Sequence, residues 1–178
     1  MKKTNLLIAL LSATGIMLSA CSSTPSDNNA SVENRDNIAT VNSDGFDSNG
    51  LPNVLTDPNN ILSQRSIYFD LDRYDVKEEY RDVLTAHSQF LKQNRGFKML
   101  IQGNTDERGS SEYNLSLGQK RAEAVRRSLS LMGVSDEQLE AVSLGKEKPR
   151  NPGHNEEAWA ENRRSDMLYR APDGRGEF

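Results

Sequence analysis

The chain has 178 residues, of which 27% are charged and 6% aromatic, and its formal net charge at pH 7 is −4. This length suits one ordinary domain with additional segments. The excess of acidic residues argues against nucleic-acid binding, which requires a basic surface.

The first twenty residues have the pattern of a secretory signal peptide. Lys2 and Lys3 precede an apolar run over residues 6–20, which small residues interrupt and end. The run is shorter than the roughly 20 apolar residues that span a bilayer. We predict that residues 1–20 are removed on export. Without Lys2 and Lys3, the other basic residues and the 26 acidic residues give a net charge near −6.

Cys21 is the only cysteine of the chain and directly follows Leu18-Ser19-Ala20. A lone thiol in an exported chain cannot form an intramolecular disulfide. The stretch resembles the lipobox of bacterial lipoproteins, whose cysteine is acylated and becomes the new N-terminus. Several acyl chains anchor a protein stably where one does not. We expect a covalent lipid on Cys21 and no other cofactor; the alternative is an incidental small residue at the cleavage site.

Residues 22–64 are rich in Ser, Asn, Asp and Thr, with apolar residues scattered singly. Such a composition buries too little surface to offset the entropy lost on ordering. We predict a lipidated N-terminus and flexible linker over 21–64, with local order only near Pro58–Leu62. A random coil of this length spans about 35 Å, and its full extension is on the order of 140 Å.

Residues 65–170 alternate between strand and helix patterns. Strand patterns cover 67–69, 97–102, 139–144 and 166–169, and helix patterns cover 76–91, 115–132 and a turn around Trp159. This alternation predicts an α+β domain of the βαβαβ type, with a small mixed sheet and helices packed on one face. The tail over 171–178 is predicted to be disordered.

Metal binding is poorly supported by the acidic residues after the first strand. Asp70, Asp72 and Asp75 do not have the spacing of an EF-hand loop, which needs a glycine at its sixth position and a glutamate at its twelfth. His87 and His154 are the only histidines, so a zinc site lacks ligands. We expect no metal site.

Enzymatic chemistry is also poorly supported, and we predict no catalytic residue. His87 lies on the apolar face of its helix pattern, which favours a partly buried histidine with its hydrogen bonds satisfied, and His154 has no obvious partner. The carboxylates of Asp72 and Asp106 form the kind of pair that a glycosidase uses. Acidic residues are so abundant that this pairing carries little weight.

A binding site is better supported in the segment 103–125. Asn114, Leu117 and Arg121 recur at intervals of three and four residues, so they share one stripe of a helix. Long helical side chains lean toward the N-terminus, which directs Arg121 toward the loop that holds Asp106 and Arg108. A guanidinium and a carboxylate together suit a zwitterionic amino-acid end. The alternative is an internal salt bridge between aspartate and arginine.

Three segments resemble one known family in order along the chain. They are "RSIYFDLDRYDV", "GNTDERGSSEYNLSLGQKRAEAV" and "VSLGKEKPRNPGHNEEAWAENRRSDMLY". With the lipobox and linker, they resemble the peptidoglycan-associated lipoproteins of the Tol–Pal system, which carry an OmpA-like domain here at about 65–170. The resemblance implies non-covalent binding of the diaminopimelate residue of peptidoglycan.

The resemblance also implies roles for individual residues. Asp106 would accept the ammonium group of diaminopimelate and Arg121 would bind its carboxylate. The remaining implied peptidoglycan contacts are Leu71, Asp72, Arg108, Asn114 and Leu117. Leu71 stands where the family often has phenylalanine, and Asn162 and Arg163 are either functional or structural.

The partners implied by the resemblance are peptidoglycan, the outer membrane and TolB, a periplasmic β-propeller, with other Tol proteins. Ser22 favours the outer membrane, because an aspartate at this position often retains enteric lipoproteins in the inner membrane. The implied function is a tether between outer membrane and cell wall in cell division and envelope integrity. The alternatives are a protein-docking module with weak wall binding and, with less support, a peptidoglycan hydrolase.

Overall fold

The computed structural model of the protein describes residues 45–178. The predicted signal peptide, the lipidation at Cys21 and the linker as far as residue 44 lie outside the described residues. The strands and helices are, in chain order, β1 (Ser66–Tyr68), α1 (Arg81–Gln93), β2 (Lys98–Asn104), α2 (Ser111–Leu131), β3 (Leu139–Gly145), α3 (Glu156–Asn162) and β4 (Arg164–Arg170). Within residues 45–178, every helix is too short or too polar to cross a membrane.

The four strands form one mixed sheet in the order β1-β4-β2-β3. β4 pairs antiparallel with both β1 and β2, and β2 pairs in parallel with β3. The parallel pair needs a crossover connection, which α2 supplies. The predicted α+β class with a small mixed sheet is confirmed.

The first helix begins later than its apolar spacing predicts. Residues Glu78–Tyr80 form a 3₁₀ turn, and α1 starts only at Arg81. The side chains of Val76 and Tyr80 still pack against the core, so they continue the apolar face of α1 without being part of it. The same face then buries Phe90 completely.

Helix α2 begins and ends at clear capping residues. The Ser110 side chain accepts a hydrogen bond from the Tyr113 backbone N–H, which satisfies one of the free donors at the helix start. At the other end Gly133 adopts a left-handed φ of +91°, and Val134 N–H bonds back to the Leu129 carbonyl. The helix therefore starts before the predicted residue 115.

The core lies between the helices and one face of the sheet. Its fully buried side chains come from every layer: Ile67, Leu84, Phe90, Leu91, Met99, Ile101, Val125, Leu129, Met167 and Tyr169. His87 also belongs to this layer and is completely buried. Its Nδ1 lies 2.7 Å from the Tyr169 hydroxyl and its Nε2 lies 3.0 Å from the Gln64 carbonyl. The prediction that His87 is internally satisfied is confirmed, although its burial is complete rather than partial.

The segment 45–64 contradicts the predicted flexible linker except near Pro58–Leu62, where local order was predicted and is present. Leu51, Leu55 and Leu62 are each at most 2% exposed and belong to the hydrophobic core. Two short 3₁₀ turns, Asn53–Leu55 and Ile61–Ser63, present these side chains to the domain. Local composition predicts too little burial here, because single leucines gain their burial from distant parts of the chain.

The C-terminal segment 171–178 contradicts the predicted disordered tail. Gly176 forms a β-bridge with Arg170, and Glu177 N–H donates to the Tyr169 carbonyl. The Glu177 carboxylate also accepts a hydrogen bond from Arg65 at 2.6 Å. These contacts hold the tail along β4. The polar composition of the tail does not predict them, because they are made with residues elsewhere in the chain.

Candidate ligand-binding cavity

A cavity of about 260 Å³ opens where the loop after β2 meets the start of α2 and the loop after β1. Its lining residues are Leu71, Asp72, Thr105, Asp106, Arg108, Gly109, Tyr113, Asn114, Leu117 and Arg121. The structure thus brings all seven sequence-predicted contact residues to one place. A larger depression of about 530 Å³ lies elsewhere, but its basic side chains, Lys92, Arg95 and Lys98, are exposed.

Arg121 is a completely buried cation at the wall of this cavity. Its Nε donates to the Arg73 carbonyl at 2.8 Å, Nη1 to the Asn104 carbonyl at 2.9 Å and Nη2 to the Asp70 carbonyl at 3.1 Å. Because a guanidinium has five N–H groups, two of them are still available. Burial lowers the pKa of Arg121 to about 10, so the side chain remains charged at neutral pH.

None of the carboxylates in residues 45–178 forms an ion pair with Arg121. The internal bridge between Asp106 and Arg121, the alternative raised by the sequence, is therefore not formed. A buried charge without an ionic partner is costly. An anionic group entering the cavity would supply the missing partner.

Asp106 is instead held by two other arginines. Its Oδ1 accepts from the Arg108 backbone N–H at 3.1 Å and Nε at 3.3 Å, and its Oδ2 accepts from Arg108 Nη2 at 2.7 Å and Arg163 Nη1 at 3.4 Å. Burial alone would raise the pKa of Asp106, but the hydrogen bonds from Arg108 outweigh it and lower the pKa. Asp106 is thus firmly ionised and already paired.

Asp72 lies at the mouth of the cavity, and its carboxylate has a different partner from that of Asp106. Its φ of +55° is the only left-handed value among the non-glycine residues that the structure describes. Tyr113 donates a hydrogen bond from its hydroxyl to Asp72 Oδ1, which also raises the pKa of Tyr113. No lysine or arginine of residues 45–178 pairs with the Asp72 carboxylate.

Arg163 and Asn162, which the sequence leaves as either functional or structural, make hydrogen bonds to other residues of the protein. Arg163 links Asp106 to Glu156, whose carboxylate lies 2.8 Å away, and donates from Nε to the Phe69 carbonyl. Asn162 Oδ1 accepts from the backbone N–H groups of residues 150 and 151 at 2.7 and 3.0 Å. Both side chains position the loops around the cavity.

The rim of the cavity carries a polar cluster around Glu107. The Glu107 carboxylate accepts from Trp159 Nε1 and lies 2.8 Å from His154 Nδ1, so the sequence reading that left His154 without a partner is wrong. The hydrogen bond from His154 lowers the pKa of Glu107. The Arg108 guanidinium lies 4.1 Å from the centre of the Trp159 ring. The two loops that form this rim are distant in sequence, which is why the contact was not predictable.

Thr105, Gly109 and Tyr113 line the cavity but were not among the predicted residues. Tyr113 was detectable, because it lies four residues before Leu117 and so extends the same helical stripe. Thr105 is 3% exposed, and its hydroxyl has no hydrogen-bond partner within the part of the chain that the structure describes. No sequence pattern identifies such a group, since its environment is set by tertiary packing.

The residues at the cavity do not form a metal site. Within residues 45–178, no group of three or more His, Cys, Asp or Glu side chains is close enough to hold a metal ion. The cavity instead combines a buried cation, two carboxylates and the apolar side chains of Leu71 and Leu117. This combination suits a short aliphatic group that ends in both an ammonium and a carboxylate.

Comparison with known proteins places this architecture in a family. Residues 68–163 match the model of the OmpA family. The peptidoglycan-associated lipoprotein of Pasteurella multocida is 46% identical over 110 residues, covering 61% of this chain and 73% of that protein. The peptidoglycan-associated lipoprotein of Legionella pneumophila is 35% identical over 170 residues, covering 92% of this chain and 94% of that protein.

Solved structures agree with the sequence relatives. The crystal structure of the peptidoglycan-associated lipoprotein from Burkholderia pseudomallei is 62% identical, with a TM-score of 0.65, and the match covers 66% of this chain and 99% of that one. The C-terminal domain of Helicobacter pylori MotB is 19% identical with a TM-score of 0.54, which shows the shared fold alone. The fold, the match to the OmpA family model and the sequence identity with these relatives lead to one conclusion. The chain belongs to the peptidoglycan-associated lipoprotein family and carries an OmpA-family domain.

Proposed function

We propose that this protein binds peptidoglycan non-covalently by holding the free end of diaminopimelate in the cavity described above. The observation that supports this most is the buried Arg121 guanidinium, which has free N–H groups and no ionic partner. A carboxylate matches two N–H groups of a guanidinium through parallel hydrogen bonds. The carboxylates of Asp72 and Asp106 line the same cavity and could accept hydrogen bonds from the ammonium group. The methylene chain of the ligand would contact Leu71 and Leu117.

The remaining predicted contacts have supporting roles in this proposal. Asn114 Nδ2 donates to the Arg108 carbonyl at 2.8 Å, so Asn114 holds the loop from inside rather than facing the ligand freely. Arg108 stays between Asp106 and Trp159 and closes one side of the cavity. The ligand would thus enter a cavity whose walls are already arranged, which limits the entropy lost on binding.

The anchoring of the protein is also part of the proposal. Acylation of Cys21 would attach the chain to the outer membrane, with the domain facing the periplasm. Residues 22–44 separate this cysteine from the described structure and can extend to about 80 Å at most. The chain would thereby tie the membrane to the wall, and many tethered copies would hold a repeating polymer by avidity.

A protein-docking role is the second candidate and has its own supporting observation. Four large side chains are substantially exposed: Leu71 at 56% and Tyr113 at 48% line the cavity, and Leu115 at 54% and Tyr74 at 44% line two other depressions. Aromatic and apolar side chains are the usual centre of a protein interface. We propose that TolB, or another Tol protein, contacts these exposed side chains and competes with the wall. Such competition would connect the tether to envelope constriction during division.

A hydrolase is the candidate with the weakest support. A glycosidase needs one carboxylic acid with a raised pKa to protonate the leaving group. The pKa of Asp106 is lowered instead, and its oxygens are bonded to Arg108 and Arg163. Asp106 therefore cannot serve as the general acid, and we propose a binding protein rather than an enzyme.

Co-sedimentation with purified sacculi tests the proposal. The unacylated chain from residue 22 to 178 would be incubated with walls that contain diaminopimelate and with walls that contain lysine. The variants are Arg121→Lys and, as a matched control, Arg127→Lys, which changes an exposed arginine of the same helix. We expect the wild type and the control to pellet only with diaminopimelate walls, and Arg121→Lys to remain soluble.

The same incubation separates the three candidates. Release of soluble wall fragments would favour the hydrolase. Equal pelleting of folded Arg121→Lys with both wall types would contradict binding through this cavity. Absence of wall binding together with retention on immobilised TolB would favour the docking module.

A further inference from the structure

The end of the domain opposite the ligand cavity carries a depression of about 530 Å³. Three basic residues that line it, Lys92, Arg95 and Lys98, form what we call the basic end. We propose that the basic end binds the phosphate groups of an anionic phospholipid surface and thereby turns the ligand cavity away from the membrane. Such a contact needs no ligand in the cavity, and only its consequence for wall binding rests on the proposed function.

The basic end and the cavity lie at opposite ends of the same strand and the same helix. Lys98 begins β2 and Asn104 ends it, so about 20 Å of strand separates the depression from the cavity loop. Helix α2 begins at the cavity and ends two residues before Gly133, which lines the depression. A helix of this length spans about 30 Å. A membrane that contacts the basic end therefore lies on the far side of the domain from the cavity.

The positive charge of the basic end is not neutralised by ion pairs within the fold. Among residues 45–178, no aspartate or glutamate forms an ion pair with Lys92, Arg95 or Lys98. Glu137 is the one acidic residue that lines the depression. Three positive charges against one negative charge leave the lining with a net charge of +2. This end of the domain is thus complementary in charge to a surface of phosphate groups.

Stabilisation of the helix ends accounts for only one of the three basic side chains. Cationic side chains stabilise the C-terminal end of a helix, where carbonyl groups lack donors. Lys92 has this role, because its Nζ donates to the Met132 carbonyl at 3.0 Å, directly after α2. Arg95 and Lys98 lie beyond the end of α1, and both are exposed. Their charged groups are accessible to an external anion.

The chain enters the folded domain from the side of the basic end. The loop before β2 contacts the C-terminal tail, because a Cβ atom built on Gly96 would lie 2.6 Å from the Pro172 side chain. The first described residues contact the same tail, since a Cβ atom built on Gly50 would lie 2.8 Å from the Arg175 guanidinium. The segment 22–44, which leads to the proposed lipid anchor, therefore joins the domain on the side that carries the basic end.

Three charges give a weak contact that the tether makes effective. Each lysine or arginine near an anionic membrane strengthens binding about fivefold, so three favour the surface on the order of a hundredfold. Acidic residues elsewhere on the domain oppose this little, because charges beyond about 8–10 Å are screened at physiological salt. A free domain would bind weakly at ordinary lipid concentrations. A domain anchored to the same membrane is held at a high effective concentration and would stay in contact with it.

Contact at the basic end has a consequence for wall binding. While the linker is slack, the domain would rest on the membrane with its cavity directed away from the lipid. Peptidoglycan would then meet an open cavity rather than one that faces the membrane. Extension of the linker after wall binding would release the basic end, because three screened charges hold it only weakly.

Chemical footprinting of lysines tests this contact in the absence of any wall ligand. The unacylated chain is coupled through Cys21, its only cysteine, to a maleimide-bearing lipid in vesicles. One kind of vesicle is otherwise pure phosphatidylcholine, and the other contains phosphatidylglycerol as its anionic component. Mass spectrometry follows the acetylation of each lysine by a water-soluble reagent. Lys92 and Lys98 report on the basic end, and the exposed Lys120 and Lys148 report on the remaining surface.

We expect phosphatidylglycerol to slow the acetylation of Lys92 and Lys98 about tenfold relative to the neutral vesicles, because the membrane covers both side chains. The rates at Lys120 and Lys148 should change by less than about twofold, since these residues lie away from the contact. High salt should restore the rates at Lys92 and Lys98, because it screens the attraction.

An arginine variant tests the role of charge while keeping both reporter lysines. Arg95→Gln removes one of the three charges, so the slowing at Lys92 and Lys98 should fall from about tenfold to about twofold. Arg81→Gln is the matched control, because it removes an exposed arginine at the opposite end of α1. In this control the slowing should remain about tenfold.

Three results would overturn the proposal. The first is equal acetylation of Lys92 and Lys98 on the two kinds of vesicle. The second is equal slowing at all four reporter lysines, which would show that the membrane does not select the basic end. The third is unchanged slowing in Arg95→Gln. None of these results bears on the proposed wall binding, which co-sedimentation with sacculi measures separately and without vesicles.

Discussion

Gly103 of β2 and Gly118 of α2 lie in direct backbone contact. A Cβ atom built on Gly103 would collide with the carbonyl oxygen of Gly118, and one built on Gly118 would lie 2.8 Å from the Gly103 carbonyl oxygen. This contact seats the helix on the strand that ends at Asn104. One turn further along the helix, Arg121 reaches the Asn104 carbonyl at 2.9 Å. The position of the buried cation thus depends on two glycines that do not line the cavity.

The first prediction concerns this glycine contact. Gly118→Ala would place a methyl group against the Gly103 backbone and the Ser143 hydroxyl. We expect the free energy of unfolding to fall by about 3 kcal/mol, because overpacked helix–sheet contacts relax only by displacing backbone. Urea denaturation followed by circular dichroism measures it. Gly45→Ala is the control, since the nearest atom there is the flexible side-chain amide of Asn53 at 3.3 Å. Similar stability for both variants would contradict the prediction.

The second prediction separates the structural contribution of Arg121 from binding. Arg121→Ala would leave three backbone carbonyls without their donor, of which the Asn104 carbonyl is buried. We expect a loss of roughly 3 kcal/mol in the free energy of unfolding, within the range for broken buried polar contacts. Arg126→Ala, which removes partly exposed ion pairs with Glu123 and Asp136, should cost less than about 1 kcal/mol. Equal effects in urea titrations would show that the carbonyl contacts contribute little.

The third prediction concerns the segment before β1. Leu55→Ala would open a cavity in the core, because the side chain is completely buried. We expect a loss of about 2–5 kcal/mol in the free energy of unfolding. Ile61→Ala is the matched control, since Ile61 is 37% exposed in the same segment. If Leu55→Ala and Ile61→Ala unfold at the same urea concentration as the wild type, this segment does not belong to the folded domain.

The fourth prediction is a dependence of stability on pH through His87. Burial lowers the pKa of His87 to about 4, against an ordinary value of 6.5. Between these pH values the unfolded chain binds a proton at this site and the folded chain does not, so stability falls as the pH falls. The shift corresponds to about 3 kcal/mol, lost between pH 6.5 and pH 4.

Urea titrations at pH 7, 6, 5 and 4 measure this loss. His87→Gln keeps a hydrogen-bonding side chain beside Tyr169. In this variant the loss of stability caused by protonation of His87 should be absent, and only the pH dependence caused by the carboxylates should remain. The difference between wild type and variant should therefore shrink as the pH falls. A constant difference across this range would contradict a buried, neutral histidine.

The strands and the two long helices were predictable from sequence because their signals are local. Apolar residues at intervals of three and four along α2, and short apolar runs at β2 and β3, record which face each element buries. The residues predicted as ligand contacts also line one cavity, and their role in binding stays a prediction. Asn114, Leu117 and Arg121 share one helical stripe, and the loop with Asp106 directly precedes that helix.

Sequence by itself determined the periodicity of the elements and seven of the ten residues that line the cavity. Only the tertiary structure decided which of these side chains pair with each other. Asp106 pairs with Arg108 and Arg163, Arg121 is left with backbone carbonyls, and Leu55 finds its burial in the core. Such pairings join residues far apart in the chain, and their energies depend on burial and distance, which no local pattern records.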